Sequence, residues 1–410
     1  MQERAIRPSE LLYDAVAFGM RLYVGSAFRT VVLGREHLRI RPRMIVASTH
    51  RDDADVPLIC SLLFFGDWML FRHHLRPHYA ARDDLWEPGV LAGLLPPSTP
   101  LPLRRLLFRF DPRPFLRLVR AHPLRIAAEA QAVQALRQVD PEATIGDVLP
   151  ATLASLFRQR GVRTAREALR PEHADLLWSD VDRHELPLAH ALWRQRAHGA
   201  SADLRRLIDV VRSGEALLIF PEGQPSPDGA IGPLLGGLDV LARRGRASAV
   251  LPIGIAYDAL TCGKPRICVD VGEPLLLPRP DVEAAVLDEL RRRTPLTCGQ
   301  VVAGRLLAAV EAGDPELAPS ELDDALADAV DDARSQRRGV DPPLLETYAR
   351  RRRLSDCARS LLRRGLASAP DGRRLVLDGD RIGSDALLRR AAVEYASARE
   401  GRETTTTAGG

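Results

Sequence analysis

Short apolar runs recur along the chain, each leading into a polar loop and then into a helical periodicity. Residues 43–48 (RMIVAS) read as a buried strand feeding the polar cluster THRDDAD, and Pro57 with the apolar run 58–65 reads as the helix that follows. Further strand candidates lie at 123–126, 216–220, 249–255 and 266–271, with helical patterns at 204–212 and 237–244 between some of them. Strands alternating with helices predict an α/β fold: a largely parallel sheet flanked by helices. Two stretches break the alternation. Residues 127–204 read as almost entirely helical, with Ala- and Arg-rich turns, and predict a helical insertion. From about Asp281 strand signals fade, which predicts a C-terminal helical domain over 281–399 and a disordered tail at 400–410, EGRETTTTAGG. The expected organisation is therefore an N-terminal amphipathic segment (1–33), an α/β domain (34–280) carrying the insertion, the helical domain and the tail.

The N-terminal segment mixes Leu11, Leu12, Val16, Met20, Leu22 and Val24 with Tyr13, Phe18, Tyr23 and Phe28, punctuated by Arg21 and Arg29. Such a helix would lie in a membrane interface, held by aromatics and drawn to anionic lipid by arginine, or would pack on the core. No window approaches the roughly 18 to 20 apolar residues of a spanning helix; the best run, 56–66, stops at Asp67. Asp14 and Arg21 interrupt any secretory pattern, so the chain is expected to stay inside the cell.

Composition narrows the partners. The 410 residues hold 58 basic against 54 acidic side chains, a formal charge of +4, and Lys264 is the one lysine. That balance is too small to predict nucleic-acid binding, although arginine favours planar carboxylate and phosphate contacts. Cys60, Cys262, Cys268, Cys298 and Cys357 form neither close metal-ligand pairs nor a disulfide framework, which fits a reduced cytoplasmic setting.

Candidate chemistry gathers after the strands. His50 and Asp55 follow a buried strand directly, where α/β domains place their sites. Five residues apart on an ideal helix they would stand about 140° apart, so they meet only if the chain turns between them. The pair reads as a general base with the carboxylate that orients it. Alternatively, Asp55 caps the helix near Pro57 and His50 is a surface loop residue. FPEGQPS (220–226) leaves a second strand; Glu222 projects from this rigid turn to meet a substrate hydroxyl or an orienting backbone, or is simply solvated. In VLPIGIAYD (250–258), Pro252 interrupts an apolar strand and predicts an edge, a bulge or a cavity wall. His73, His74 and His78 have helical spacing for a metal, but Pro77 breaks the helix and no carboxylate stands at a matching interval, so no metal site is expected. The basic run 350–353 follows an acidic stretch and reads as a solvated face, an intramolecular pairing or a lipid-headgroup contact.

Taken in order, HRDDAD, FPEGQPS and VLPIGI resemble the motif series of the glycerolphosphate and lysophosphatidate acyltransferase superfamily. Gly34, Glu36 and Leu38 resemble its G-x-E-x-L approach to the first strand, and GLDVLA (237–242) its helix after the third box. The likeness covers about 30–126 and 205–275. Arg51, Tyr257 with Asp258, and PLTCGQVVAGRLL lean toward the glycerol-3-phosphate acyltransferase branch. The resemblance implies transfer of a fatty acyl group from acyl-CoA or acyl carrier protein, as co-substrate, to a hydroxyl of glycerol 3-phosphate or lysophosphatidate, with no resident cofactor. His50 would be the base and Asp55 its orienter. Phe220, Pro221, Glu222, Gly223 and Ser226 would contact substrate, and Pro252 would line the acyl side. It also implies a peripheral protein on the cytoplasmic face of an anionic membrane. The sequence departs from the pattern at Gln224 and Pro225, where the family has Thr-Arg, and at Leu234, Leu235 and Gly236, where basic residues are common. HPLRI is only an approximate second box. Arg51, Arg125, Arg243 or Arg244 would then have to supply phosphate donors. Otherwise the acceptor is a non-phosphorylated lipid alcohol, or the chain is a non-catalytic membrane-surface protein on the same fold.

Overall fold

The computed structural model describes residues 8–66, 76–93, 95–96, 98–126, 129–182, 189–226, 228–258, 260–371 and 374–400. His73, His74 and the 401–410 portion of the expected tail lie outside them. The chain divides into a unit made of Met1–Pro77 with Val211–Gly410, and a second unit, His78–Val210.

In the first unit the strands run in the order Arg29–Leu33, Arg266–Val271, Ala249–Asp258, Met44–Ser48 and Leu217–Ile219. Met44–Ser48 is parallel to both neighbours, with Met44 opposite Ala249 and Ile45 opposite Leu217. Arg29–Leu33 is parallel to Arg266–Val271, which pairs antiparallel with Ala249–Asp258. Every residue of Met44–Ser48 and Leu217–Ile219 is buried, as befits parallel strands covered on both faces. The class is α/β with a largely parallel sheet flanked by helices.

Pro252 is not on an edge. Its strand pairs with Met44–Ser48 on one side; on the other the partner changes, from Leu275–Leu276 opposite Val250 and Ala249 to Arg266–Val271 opposite Ile253 onward. The proline sits at that change of partner, where its missing N–H interrupts neither ladder, and its carbonyl accepts from Gly272 N at 2.9 Å.

The helix Asp55–Gly66 is apolar nearly all round and buries Leu58, Ile59, Leu62, Leu63 and Phe64. Pro57 is tolerated because it stands in the first turn. The first helix, Pro8–Ala27, packs Tyr13 against Phe64 with ring centroids 6.4 Å apart and buries Ala17 and Val24. Its other face leaves Leu11, Leu12, Phe18, Leu22 and Tyr23 exposed. No helix among the described residues is long and apolar enough to cross a membrane.

Residues beyond Asp281 are mainly helical, with Cys298–Glu311, Pro319–Ser335, Thr347–Arg364 and Ala386–Glu400 closing around Leu306, Leu326, Leu361 and Leu388. A small sheet of Glu316–Leu317, Leu375–Leu377 and Ala367–Ser368, absent from the sequence reading, lies among them. The basic run is an intramolecular pairing: Arg350 and Arg351 hold Asp323, and Arg353 holds Asp258 at 2.7 Å.

The second unit carries a parallel pair, His78–Arg82 with Ala121–Leu124, and a core around Leu136, Ile145, Val148, Phe157 and Leu177. Ala121–Leu124 begins two residues before the strand expected at 123–126. The stretch 127–204 is less helical than expected: Glu129–Gln131 and Asp180–Asp182 form an antiparallel ribbon, with short helices between them, and the long helix Ala189–Arg212 follows.

Candidate active site

The Met44–Ser48 strand continues in register through Thr49, whose N–H reaches Ile253 O at 3.0 Å and whose hydroxyl accepts from Ile255 N at 2.9 Å. The chain then breaks at His50. It turns through Arg51 to Ala54 and enters the helix with Asp55 as its first residue. That turn brings His50 Nδ1 to 3.1 Å from Asp55 Oδ2. His50 is not a surface residue: it is 8% exposed, and Asp55 is fully buried.

Asp55 is more than a helix cap. Its Oδ2 also accepts the backbone N–H of Arg51 and, at 2.8 Å, that of Asp52, while its Oδ1 accepts the Tyr257 hydroxyl at 2.7 Å. Four donors thus compensate a buried carboxylate. Because an ionised carboxylate only accepts, the neutral imidazole carries its proton on Nδ1 and leaves Nε2 with a free lone pair. Tyr257 stays protonated, since burial, and next to it the Asp55 charge, push its pKa upward.

FPEGQPS supports His50 from the other side. Gly223 N returns to Phe220 O at 3.0 Å, closing a turn over Pro221 and Glu222, and Gly223 has φ 83°, a conformation suited to glycine. The Phe220 ring stacks on the His50 imidazole with centroids 4.4 Å apart and planes at 27°. Glu222 is not solvated: its side chain is 5% exposed and accepts the His50 backbone N–H at 2.8 Å. Burial raises its pKa, against the opposing pull of Arg51 and of the His50 N–H. Ser226 N donates to His50 O at 3.2 Å, and the Ser226 hydroxyl links Asp228 and Gly229 N. The backbone of His50 is therefore held at both its N–H and its carbonyl by one loop.

Arg51 is placed differently from a phosphate donor. It is 2% exposed, with Nη1 at 3.9 Å from Glu222 and 3.1 Å from Gly229 O, and Nε at 3.6 Å from Glu394. Two carboxylates flank its guanidinium without a close hydrogen bond, and its Nε and Nη2 are buried without a hydrogen-bond partner among the described residues. Arg243 pairs with Asp239 on its own helix. Arg125 belongs to the second unit, where it pairs with Asp203 at 3.2 Å. Pro252 is buried in the strand beside Ala47, three residues before His50.

Tyr257, Arg390 and Glu394 complete the constellation and escaped the sequence reading as site residues. Arg390 donates to the Arg51 carbonyl, and Glu394, buried, faces the Arg51 guanidinium. Burial raises the Glu394 pKa, opposed by Arg51. A signal for Glu394 existed: it interrupts the buried face formed by Leu388, Ala391 and Ala398 of the last helix. Among the described residues, no group of three or more His, Cys, Asp or Glu side chains is arranged to hold a metal ion.

No protein-family model matches the sequence, and neither does any curated protein. Among solved structures, the crystal structure of the 1-acyl-sn-glycerophosphate (LPA) acyltransferase PlsC from Thermotoga maritima is similar at a TM-score of 0.37 and 15% identity, covering 70% of this chain and 81% of that one. At that score the likeness carries no functional weight, and the chemistry rests on the constellation around His50.

Proposed function

We propose that the chain is an O-acyltransferase of the glycerolphosphate and lysophosphatidate type, moving a fatty acyl group from acyl-CoA or acyl carrier protein to an acceptor hydroxyl. The observation that carries this reading is the His50 Nδ1 to Asp55 Oδ2 contact of 3.1 Å, in a loop clamped by FPEGQPS. His50 Nε2 takes the hydroxyl proton as the oxygen attacks the thioester carbonyl. Asp55 holds the tautomer and stabilises the imidazolium that forms. The donor is already activated, so the remaining work is to position the alcohol and stabilise the tetrahedral oxyanion. The exposed face of the first helix would rest on the cytoplasmic leaflet of an anionic membrane, where a lipid acceptor is found.

A specific observation favours a second acceptor class. Gln224 and Pro225 replace Thr-Arg, and Arg51 is buried beside Glu222 and Glu394, away from solvent, which suits a non-phosphorylated lipid alcohol. Purified protein is mixed with each donor and with glycerol 3-phosphate, lysophosphatidate and uncharged lipid alcohols, and products are weighed by mass spectrometry. His50→Ala should lower turnover about 100-fold to 10,000-fold, the usual worth of a general base. Full activity in that variant would overturn the mechanism. Zero turnover with every pair, alongside vesicle binding, would identify a non-catalytic membrane-surface protein instead.

A further inference from the structure

The second unit carries a surface that the chemistry at His50 does not use. Helix Leu101–Phe108 and helix Arg113–Leu118 are joined by a short turn through Asp111 and Pro112. Leu103, Leu106, Phe110 and Phe115 are 45%, 67%, 44% and 42% exposed, a concentration of large apolar side chains within thirteen residues. At 100° per residue, Leu103 and Leu106 stand about 60° apart on the first helix, and exposed Phe110 follows in the turn just beyond its end, next to exposed Arg109. The first of these helices is fixed from behind: Arg104 is buried, donates to Pro96 O at 3.0 Å and lies 4.0 Å from Asp175. The exposed stripe is therefore held outward by an anchored inner face.

Charge decides the occupant. Arg105, Arg109, Arg113 and Arg117, in the same segment, are all exposed. Two carboxylates answer them, Glu172 at 2.8 Å from Arg105 and Asp111 at 2.8 Å from Arg113, which leaves an excess of two positive charges. Exposed apolar side chains interspersed with guanidinium groups match a bilayer of anionic phospholipid: leucine and phenylalanine enter the acyl boundary while arginine stems reach the phosphates. We propose that residues 101–117 form a lipid-docking surface for anionic membranes, separate in sequence and in unit from the first helix. The surface is independent of the acyl-transfer reading, since binding is measured without turnover.

The test is flotation of the full-length protein with phosphatidylcholine vesicles and with vesicles containing about one third phosphatidylglycerol, the anionic lipid that a basic, apolar surface favours. Two paired variants, Leu106→Gln with Phe110→Gln and Arg109→Gln with Arg117→Gln, alter exposed side chains only, and far-UV circular dichroism confirms the fold. The apolar pair should weaken partition onto phosphatidylglycerol vesicles about 10-fold or more, given the area each side chain buries. The arginine pair should weaken it about 10-fold and flatten its dependence on salt. Phe18→Gln with Leu22→Gln in the first helix serves as comparison: binding retained in that pair and lost in the 106/110 pair assigns the contact to the second unit. Wild-type partition in both 101–117 variants would overturn the proposal. So would self-association that the apolar variant abolishes while vesicle binding is unchanged, because the stripe would then be a protein interface.

Discussion

Asp55 gathers four hydrogen-bond donors on two oxygens, from His50, Arg51, Asp52 and Tyr257, and this concentration makes a buried carboxylate sustainable. Three of the four come from the adjacent loop and form as soon as the chain turns. Tyr257 arrives from a strand 202 residues away and occupies Oδ1 alone. Its removal leaves that oxygen buried without its donor, at a cost of about 1.5–3 kcal/mol for a hydrogen bond to an ionised group. Tyr257→Phe should therefore unfold at lower urea and lose about 10-fold in kcat with little change in KM, because the disturbed group orients the base and does not bind acceptor. Steady-state kinetics with the best donor and acceptor pair, beside urea melts, make the check. A variant equal to wild type in both would show that Oδ1 needs no partner. Gln224 and Pro225 belong at the same scale: they follow Pro221 and Gly223 and leave the geometry of that turn intact.

At the level of elements, the legible part of the site was the part built from consecutive residues. A buried strand ending in HRDDAD and another ending in FPEGQPS announce themselves by apolar runs that stop at polar loops, and both loops meet at His50. The less legible parts depend on distance or brevity. Glu129–Gln131 and Asp180–Asp182 have three residues each, too few for a period-2 pattern to stand out. Pro252 left an edge, a bulge or a cavity wall open because the sequence does not reveal that one strand changes partner beside it. The last helix reaches the loop after His50 from more than 300 residues downstream, and only the carboxylate on its buried face hints at this. That helix has a testable duty. Glu394 and Glu222 share the Arg51 guanidinium, and Glu222 also holds the His50 N–H. Glu394→Gln leaves Arg51 to Glu222 alone, drawing that carboxylate from His50, and should cost about 10-fold in kcat, the effect of about 1.4 kcal/mol in positioning. Leu387→Gln, on the exposed face of the same helix, should leave turnover unchanged. Equal activity in the Glu394 and Leu387 variants would remove the last helix from the site.

For the whole molecule, the two units carry different titrating chemistry, so acid should injure them unequally. In the second unit His78 Nδ1 lies 2.7 Å from His122 Nε2, with the rings stacked 5.0 Å apart. Two ring nitrogens at that distance share one N–H, and both rings cannot be protonated without repulsion. Burial lowers both pKa values, with His122 adding to the effect on His78, which falls to about 3. An unfolded chain takes up protons at both rings near the ordinary histidine value of about 6.5. Below that pH the unfolded state binds more protons than the folded one, so stability falls as pH falls and is fully present above it. From pH 6.5 to pH 5, His78 alone should cost the unit about 1.6 kcal/mol. Trp86, Trp178 and Trp193 all lie in this unit, so three of the chain's four tryptophans report on it. Urea melts followed by tryptophan fluorescence should move to lower midpoints across that range, and His78→Gln with His122→Gln should flatten the dependence, since neither replacement titrates. An unchanged slope in the double variant would place the acid sensitivity elsewhere and make the histidine pair an ordinary packing contact.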